Sequence, residues 1–283
     1  MNYRHAFHAG NFADVMKHVV LVRTLLYLAR KDGAFRAIDT HAGIGLYDLS
    51  SEEAERTGEW RDGVARLEAP FAPEVEELLS PYRQVLDEVR ASHGHAYPGS
   101  PFIIRALSRP QDVSVFVELH PADGDVLAAR FKGRGVKVLR LDGWTALHAL
   151  IPSPERRGLV LIDPPYEQPG ELKRLAAEMV KAWRKWPTGV FLGWYPIKDP
   201  GAVAEAAGIL RAAGPAKALR LELMVDAPDD PSRLNGCGLF ILNPPFVLKE
   251  EAEILLPALA ARLARSTYAG FRCEPFGREV APG

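Results

Sequence analysis

Leu159-Val160-Leu161-Ile162-Asp163-Pro164-Pro165-Tyr166 is a four-residue apolar run followed at once by an acid, two prolines and an aromatic residue. The run is short, and apolar at successive positions, which suits a strand covered on both faces rather than an amphipathic helix. Two prolines fix the backbone direction and remove two amide donors, so nearby carbonyls point away from any helix or ladder. Asp163 and the Pro164 carbonyl thus form a rigid pair of acceptors beyond the strand, suited to the two hydrogens of an amino group. The competing reading is a plain turn with a capping Asp.

The same alternation continues on both sides. Strands are expected at Phe35 to Thr40, Val113 to Leu119, Val136 to Leu141, Gly189 to Trp194, Leu219 to Val225 and Leu239 to Leu242. Helical spacing marks Ala13 to Lys31, Ala122 to Phe131, Trp144 to Leu150, Leu172 to Trp186, Ala202 to Ala212 and Glu250 to Ala264, and Ser100-Pro101 reads as the cap and first residue of one more. Strands alternating with helices imply an α/β fold with a doubly wound, mostly parallel sheet that binds ligands at the strands' carboxyl ends. Residues 50–95 break this rhythm. They are charged, helical in propensity (Glu52 to Arg66, Pro73 to Arg90) and read as a helical insertion, which leaves 1–49 and 96–283 as the main domain.

A chain of 283 residues can bury one sizeable core, and 47% hydrophobic with 25% charged residues is ordinary for a globular protein. No apolar run approaches the roughly 18 residues needed to span a membrane, and two cysteines carry no metal-ligand spacing. A cytoplasmic protein with no membrane partner and no metal is expected. The net charge of -1 supplies no general basic excess, so contact with nucleic acid must rest on local patches.

Three successive strands end in an acid: Asp39, Glu118 and Asp142. Each alone reads as a helix cap, but three in register suit the ribose hydroxyls and adenine amine of a nucleoside. Gly43-Ile44-Gly45 is a tight turn without the third glycine of a dinucleotide fingerprint. A cofactor whose polar contacts are ribose, adenine and an amino acid therefore fits better than a nicotinamide or flavin, and S-adenosyl-L-methionine has that description. An aromatic amine is a poor nucleophile, so orienting it is the natural catalytic task, with Tyr166 available to stack on an extruded or single-stranded base. Asn243-Pro244-Pro245-Phe246 has similar chemistry but follows a later strand, and a strand-end turn is its expected role. The stretch from Tyr3 to Asn11, rich in aromatic, basic and imidazole groups, points to nucleic-acid contact or cofactor closure. Lys173, Arg174, Lys181, Arg184 and Lys185 read as a solvated helix face with buried tryptophans.

Asp163 to Tyr166 resembles the Asp-Pro-Pro-Tyr amino-methyltransferases. Tyr3 to Asn11, Asp39-Thr40-His41-Ala42-Gly43, Tyr97-Pro98-Gly99-Ser100-Pro101, Glu118-Leu119-His120-Pro121 and Asn243-Pro244-Pro245 together resemble the bacterial ribosomal RNA large subunit methyltransferase J family over nearly the whole chain. That resemblance implies a monomeric Rossmann-like methyltransferase acting on the exocyclic nitrogen of one adenosine in large-subunit (23S) ribosomal RNA. DNA bases or a protein amide are the alternative acceptors. It also implies that Lys17, His18, His41, Ser100, Glu118, Asp142, Gly143 and Asp163 contact the cofactor and that Asp163 is catalytic. Tyr3, His5, Pro164 and Tyr166 form the implied substrate set.

Overall fold

Gly158–Ile162 forms a strand in which all five residues are buried, as the apolar run requires. The computed structural model describes residues 5–230 and 233–277. Its strands are β1 (Arg36–Asp39), β2 (Leu46–Asp48), β3 (Ala96–Pro98), β4 (Val113–Val117), β5 (Val136–Leu139), β6 (Gly158–Ile162), β7 (Val190–Pro196), β8 (Ala218–Met224), β9 (Gly236–Leu242) and β10 (Gly270–Pro275). Its helices are α1 (Phe12–Ala29), α2 (Glu52–Thr57), α3 (Pro73–His93), α4 (Ser100–Ala106), α5 (Pro121–Arg130), α6 (Gly143–Ala149), α7 (Glu171–Lys185), α8 (Pro200–Ala213) and α9 (Leu248–Leu263).

Eight strands form one sheet in the order β10-β8-β9-β7-β6-β1-β4-β5. From β5 to β7 every pairing is parallel, whereas β9 pairs antiparallel with β7 and β8, and β10 antiparallel with β8. The pleat divides the side chains between two cores. Ala37, Phe116, Leu159 and Leu161 face one core with α1, α3 and α9, while Ile38, Val115, Val160 and Ile162 face the other with α6, α7 and α8. Both faces are covered, which is why β6 carries no polar alternation.

Helix α1 starts on Asn11, whose side chain accepts from the amides of Ala13 and Asp14 at 2.9 Å. Packed against α3, α4, α9 and the sheet, it buries even Asp14, Lys17, His18 and Thr24.

The structure departs from expectation in four places. The long helix expected over Glu52 to Arg66 stops at Thr57, and two 3-10 turns follow at Glu59–Asp62 and Val64–Leu67. Gly63 explains the break: a Cβ there would sit 2.0 Å from the Gly10 carbonyl, and Val64 donates its amide to that carbonyl at 2.8 Å. Straight helix would forbid this backbone contact. Second, β2 and β3 pair as a short antiparallel ribbon flanking residues 50–95, with Tyr47 opposite Tyr97. Third, the α4 cap is Gly99 rather than Ser100, whose hydroxyl donates elsewhere. Fourth, β10 is a half-exposed edge strand with no apolar run to announce it.

Leu161→Ala removes a side chain with no exposure from the middle of β6, and a loss of about 3 kcal/mol in unfolding free energy is expected. Urea denaturation measures it; a change below about 1 kcal/mol would contradict a strand packed on both faces.

Candidate active site

Asp163 follows β6 directly, so it sits at the carboxyl end of the sheet beside the ends of β1 and β4. A cavity of about 570 Å³ opens there, within the range of small-molecule sites. His5, Lys17, His18, His41, Ser100, Glu118, Asp142, Gly143, Asp163 and Pro164 all line it. The whole expected cofactor set and two members of the substrate set therefore meet in one space. Tyr3 lies outside the described residues.

Lys17 connects the Asp163-Pro164-Pro165-Tyr166 motif to α1. Its Nζ donates to Asp163 Oδ2 at 2.5 Å and pairs with Asp14 Oδ1 at 2.9 Å, with the side chain only 5% exposed. Burial opposes the charge, but the Asp14 and Asp163 carboxylates hold the ammonium well above the usual lysine range. Burial likewise opposes ionisation of Asp14, yet His5 and Lys17 hold its carboxyl well below the usual carboxylate range. Asp14 Oδ2 also takes His5 Nε2 and the Gly10 amide, each at 2.9 Å. The N-terminal segment is thereby tied to the motif. Farther along it, His8 and Asn11 both reach Glu59, at 2.9 Å each.

The three strand-end acids prove unlike one another. Glu118 lines the cavity and accepts from the Gly43 amide at 2.9 Å and the His120 amide at 2.8 Å. Burial raises its carboxyl above the usual value. Asp142 lines the cavity while one oxygen caps α6 through Thr145, at 2.8 Å to the amide. Asp39 is a correction: it has no exposure and is absent from the cavity wall, so it cannot face a ribose as expected. It accepts instead from the Ser100 hydroxyl at 2.6 Å and the His41 amide at 3.3 Å, bracing two residues that do line the cavity. Burial pushes its carboxyl up to about 6.

Gly143 is required by close approach. A Cβ would lie 2.4 Å from the Thr40 carbonyl and 2.6 Å from the His41 ring. His41 itself accepts or donates at Nδ1 with Thr40 Oγ1 at 2.8 Å and meets Trp144 edge-on. Tyr166 is the second correction. At φ 54° the chain turns back, so the hydroxyl donates to the Trp194 carbonyl and the ring packs edge-on against Trp194. The ring is not on the cavity wall, and it braces the motif against β7 rather than offering a stacking face.

Asn243 lies at the other end of the sheet. Because β9 runs antiparallel to β7, its carboxyl end meets the start of β7, and Asn243 Nδ2 donates to the carbonyls of Pro187 and Gly189 at 2.7 and 2.8 Å. Of the basic residues on α7, Arg174 reaches the cavity wall and covers the Trp144 ring at 4.7 Å. Sequence reading missed Asp14, Trp144 and Arg174. An acid three residues before Lys17 and four before His18, inside a helix otherwise rich in apolar residues, was the available signal for Asp14.

Among the described residues, no helix is long and apolar enough to cross a membrane, and no group of His, Cys, Asp and Glu is arranged to hold a metal ion.

A family model described as "Ribosomal RNA large subunit methyltransferase D, RlmJ" matches residues 32–274. The ribosomal RNA large subunit methyltransferase J of Escherichia coli K12 is 37% identical over 266 residues, covering 93% of this chain and 94% of that protein. Its counterpart in Haemophilus influenzae is 35% identical over the same shares. A crystal structure of a protein from Legionella pneumophila strain Philadelphia 1 superposes with a TM-score of 0.85 at 32% identity, covering 96% of this chain and 99% of that one.

Acid should destabilise the fold through the buried imidazoles. Burial pushes His18 down to about 3 and His41 down to about 4. The unfolded chain takes up these protons near 6.5 and the folded chain does not, so the stability from neutral rings is complete above that value and drains away as pH falls toward 4 and then 3. Asp39, raised to about 6, runs the other way: its contribution is present below the ordinary carboxylate value and lost as pH rises through 6. Between pH 7 and 5, His18 alone costs about 2 kcal/mol and Asp39 returns about 1. Urea midpoints at the two pH values should show lower stability at pH 5; equal or higher stability there would contradict these assignments.

Proposed function

The chain belongs to the ribosomal RNA large subunit methyltransferase J family, and from that membership we propose that it methylates the exocyclic N6 amine of one adenosine in large-subunit (23S) ribosomal RNA. The observation that carries this reading is the Asp163-Pro164 acceptor pair on the wall of a cavity shared with Glu118 and Asp142. The methyl donor of this Rossmann-like enzyme is S-adenosyl-L-methionine, which supplies an electrophilic methyl on a sulfonium. The cavity fits it: Glu118 and Asp142 would hold the adenosine end, His41, Ser100 and Gly143 would shape the wall between, and Lys17 and His18 would meet the amino-acid end. The buried His18 Nε2, which has no hydrogen-bond partner among the described residues, would donate to such a ligand.

The chain's own residues do the rest. Asp163 Oδ2 is engaged by Lys17, which leaves Oδ1 to accept one hydrogen of the base amine, and the Pro164 carbonyl accepts the other. Gripping both hydrogens turns the nitrogen lone pair out of the ring plane and toward the methyl. Methylation would leave the nitrogen cationic and acidic, so that it would shed its extra proton to solvent; Asp163 then serves as a hydrogen-bond acceptor and no strong base is needed. His5, on the cavity wall, and Tyr3 are the proposed substrate contacts. In this reading residues 50–95 form an inserted helical subdomain on a methyltransferase domain of 1–49 and 96–283, and the enzyme works as a cytoplasmic monomer.

Asp163→Ala should lower transfer of labelled methyl to unmethylated ribosomal RNA by about 10²- to 10³-fold, the range for losing one preorganised polar group. Near-normal turnover would move the chemistry elsewhere, and transfer to duplex DNA or a protein but not to ribosomal RNA would change the acceptor. Tyr3→Ala should reduce turnover on RNA while cofactor affinity stays within about twofold, a change of under 0.5 kcal/mol; equal losses in both would remove Tyr3 from the substrate set.

A further inference from the structure

Tyr82 on α3, Tyr97 on β3 and His18 on α1 form a buried chain of polar contacts that the proposed chemistry does not use. The two hydroxyls lie 2.9 Å apart, and the Tyr97 hydroxyl lies 2.7 Å from His18 Nδ1. Neither tyrosine has more than 1% exposure.

The direction of donation follows from the number of acceptors. Tyr97 is the sole hydrogen-bond partner of the Tyr82 hydroxyl among the described residues. Were Tyr97 to donate to Tyr82, the buried Tyr82 proton would have no acceptor; were His18 Nδ1 to donate to Tyr97, one of the two hydroxyl protons would be orphaned instead. Every proton is satisfied only when Tyr82 donates to Tyr97 and Tyr97 donates to Nδ1. The imidazole, kept neutral by burial, then carries its proton on Nε2.

That Nε2 is buried and has no hydrogen-bond partner among the described residues. The Asp14 carboxylate stands 4.0 Å away, beyond hydrogen-bond reach, and His18 lines the cavity. The Tyr97 ring stacks on the imidazole at 5.6 Å and 24°, fixing its plane as well as its tautomer.

We propose that Tyr82 and Tyr97 are positioning residues that hold His18 as an Nε2–H donor for the carboxylate at the amino-acid end of the cofactor. This rests on the S-adenosyl-L-methionine reading above. Glu118 and Asp142 take the adenosine end, after β4 and β5, and the methyl must face Asp163 after β6, so the amino-acid end falls toward α1. Asp14 and Asp163 already accept from Lys17, and the ligand's carboxylate is the acceptor that His18 lacks. The insertion thereby reaches the cofactor through Tyr82.

The test compares S-adenosylhomocysteine with 5′-methylthioadenosine, which lacks the amino-acid end, in binding to the full chain by calorimetry. Tyr97→Phe should weaken S-adenosylhomocysteine about tenfold, one hydrogen bond's worth, and leave 5′-methylthioadenosine within about twofold. Tyr82→Phe should give a smaller loss of the same pattern. Nitrogen NMR of the unsubstituted chain, with His18 assigned from His18→Gln, should show Nε2 protonated and Nδ1 bare. Equal losses for both ligands, no loss for either, or a proton on Nδ1 would overturn the proposal. Failure of the unsubstituted chain to bind S-adenosylhomocysteine would instead sink the cofactor reading, and this inference with it.

Discussion

One buried ammonium holds the site together. Lys17 lies between Asp14 on its own helix and Asp163 beyond β6 and is the cation that the two carboxylates share. A buried ion pair is no cheap source of stability, since desolvation offsets much of the attraction. What it provides is registry. The motif after β6 is placed by α1 as well as by its own strand, and through Asp14 the same charge places His5 and Gly10. The cavity wall at Lys17, the Asp163 motif and the segment from His5 to Gly10 are thus joined in one network of contacts.

Strand direction does the selecting that side-chain chemistry cannot. Asp163-Pro164-Pro165 and Asn243-Pro244-Pro245 offer nearly the same acceptors, and both end a fully buried strand. The strand β6 runs parallel to β1 and β7, so its carboxyl end opens on the cavity; β9 runs antiparallel and delivers its motif to the opposite edge. There Asn243 closes a turn on the carbonyls of Pro187 and Gly189. The same three-residue pattern is a site at one end of the sheet and a clasp at the other.

What could be read in the sequence follows from this geometry. Strand ends are local: an apolar run followed by an acid announces both the strand and its terminus, so β1, β4, β5, β6 and their acids were legible, and the resemblance added Lys17, His18, His41 and Ser100. The direction in which an acid faces is not local. Asp39 has the same sequence setting as Glu118, yet the Ser100 hydroxyl and His41 amide turn it inward. Tyr166 looked free to stack because nothing nearby in sequence shows Trp194, twenty-eight residues on, taking its hydroxyl. The break at Gly63 was hidden for a like reason, its cause being the backbone of Gly10. Edge strand β10 lacked any apolar signature, since an edge needs none.

Charge settles how such a site can serve a polyanion. The chain as a whole is at -1, but the cavity is lined by eight Asp or Glu residues against three Lys or Arg. Such a space favours a cationic sulfonium over the neutral thioether left after transfer, which aids both capture of the donor and release of its product. It also repels phosphate. In the proposed reaction the phosphate backbone would be kept outside, and an uncharged base turned out of its stack is what such a cavity would admit. The acidity that looks wrong for the proposed nucleic-acid substrate is what would select for the base alone.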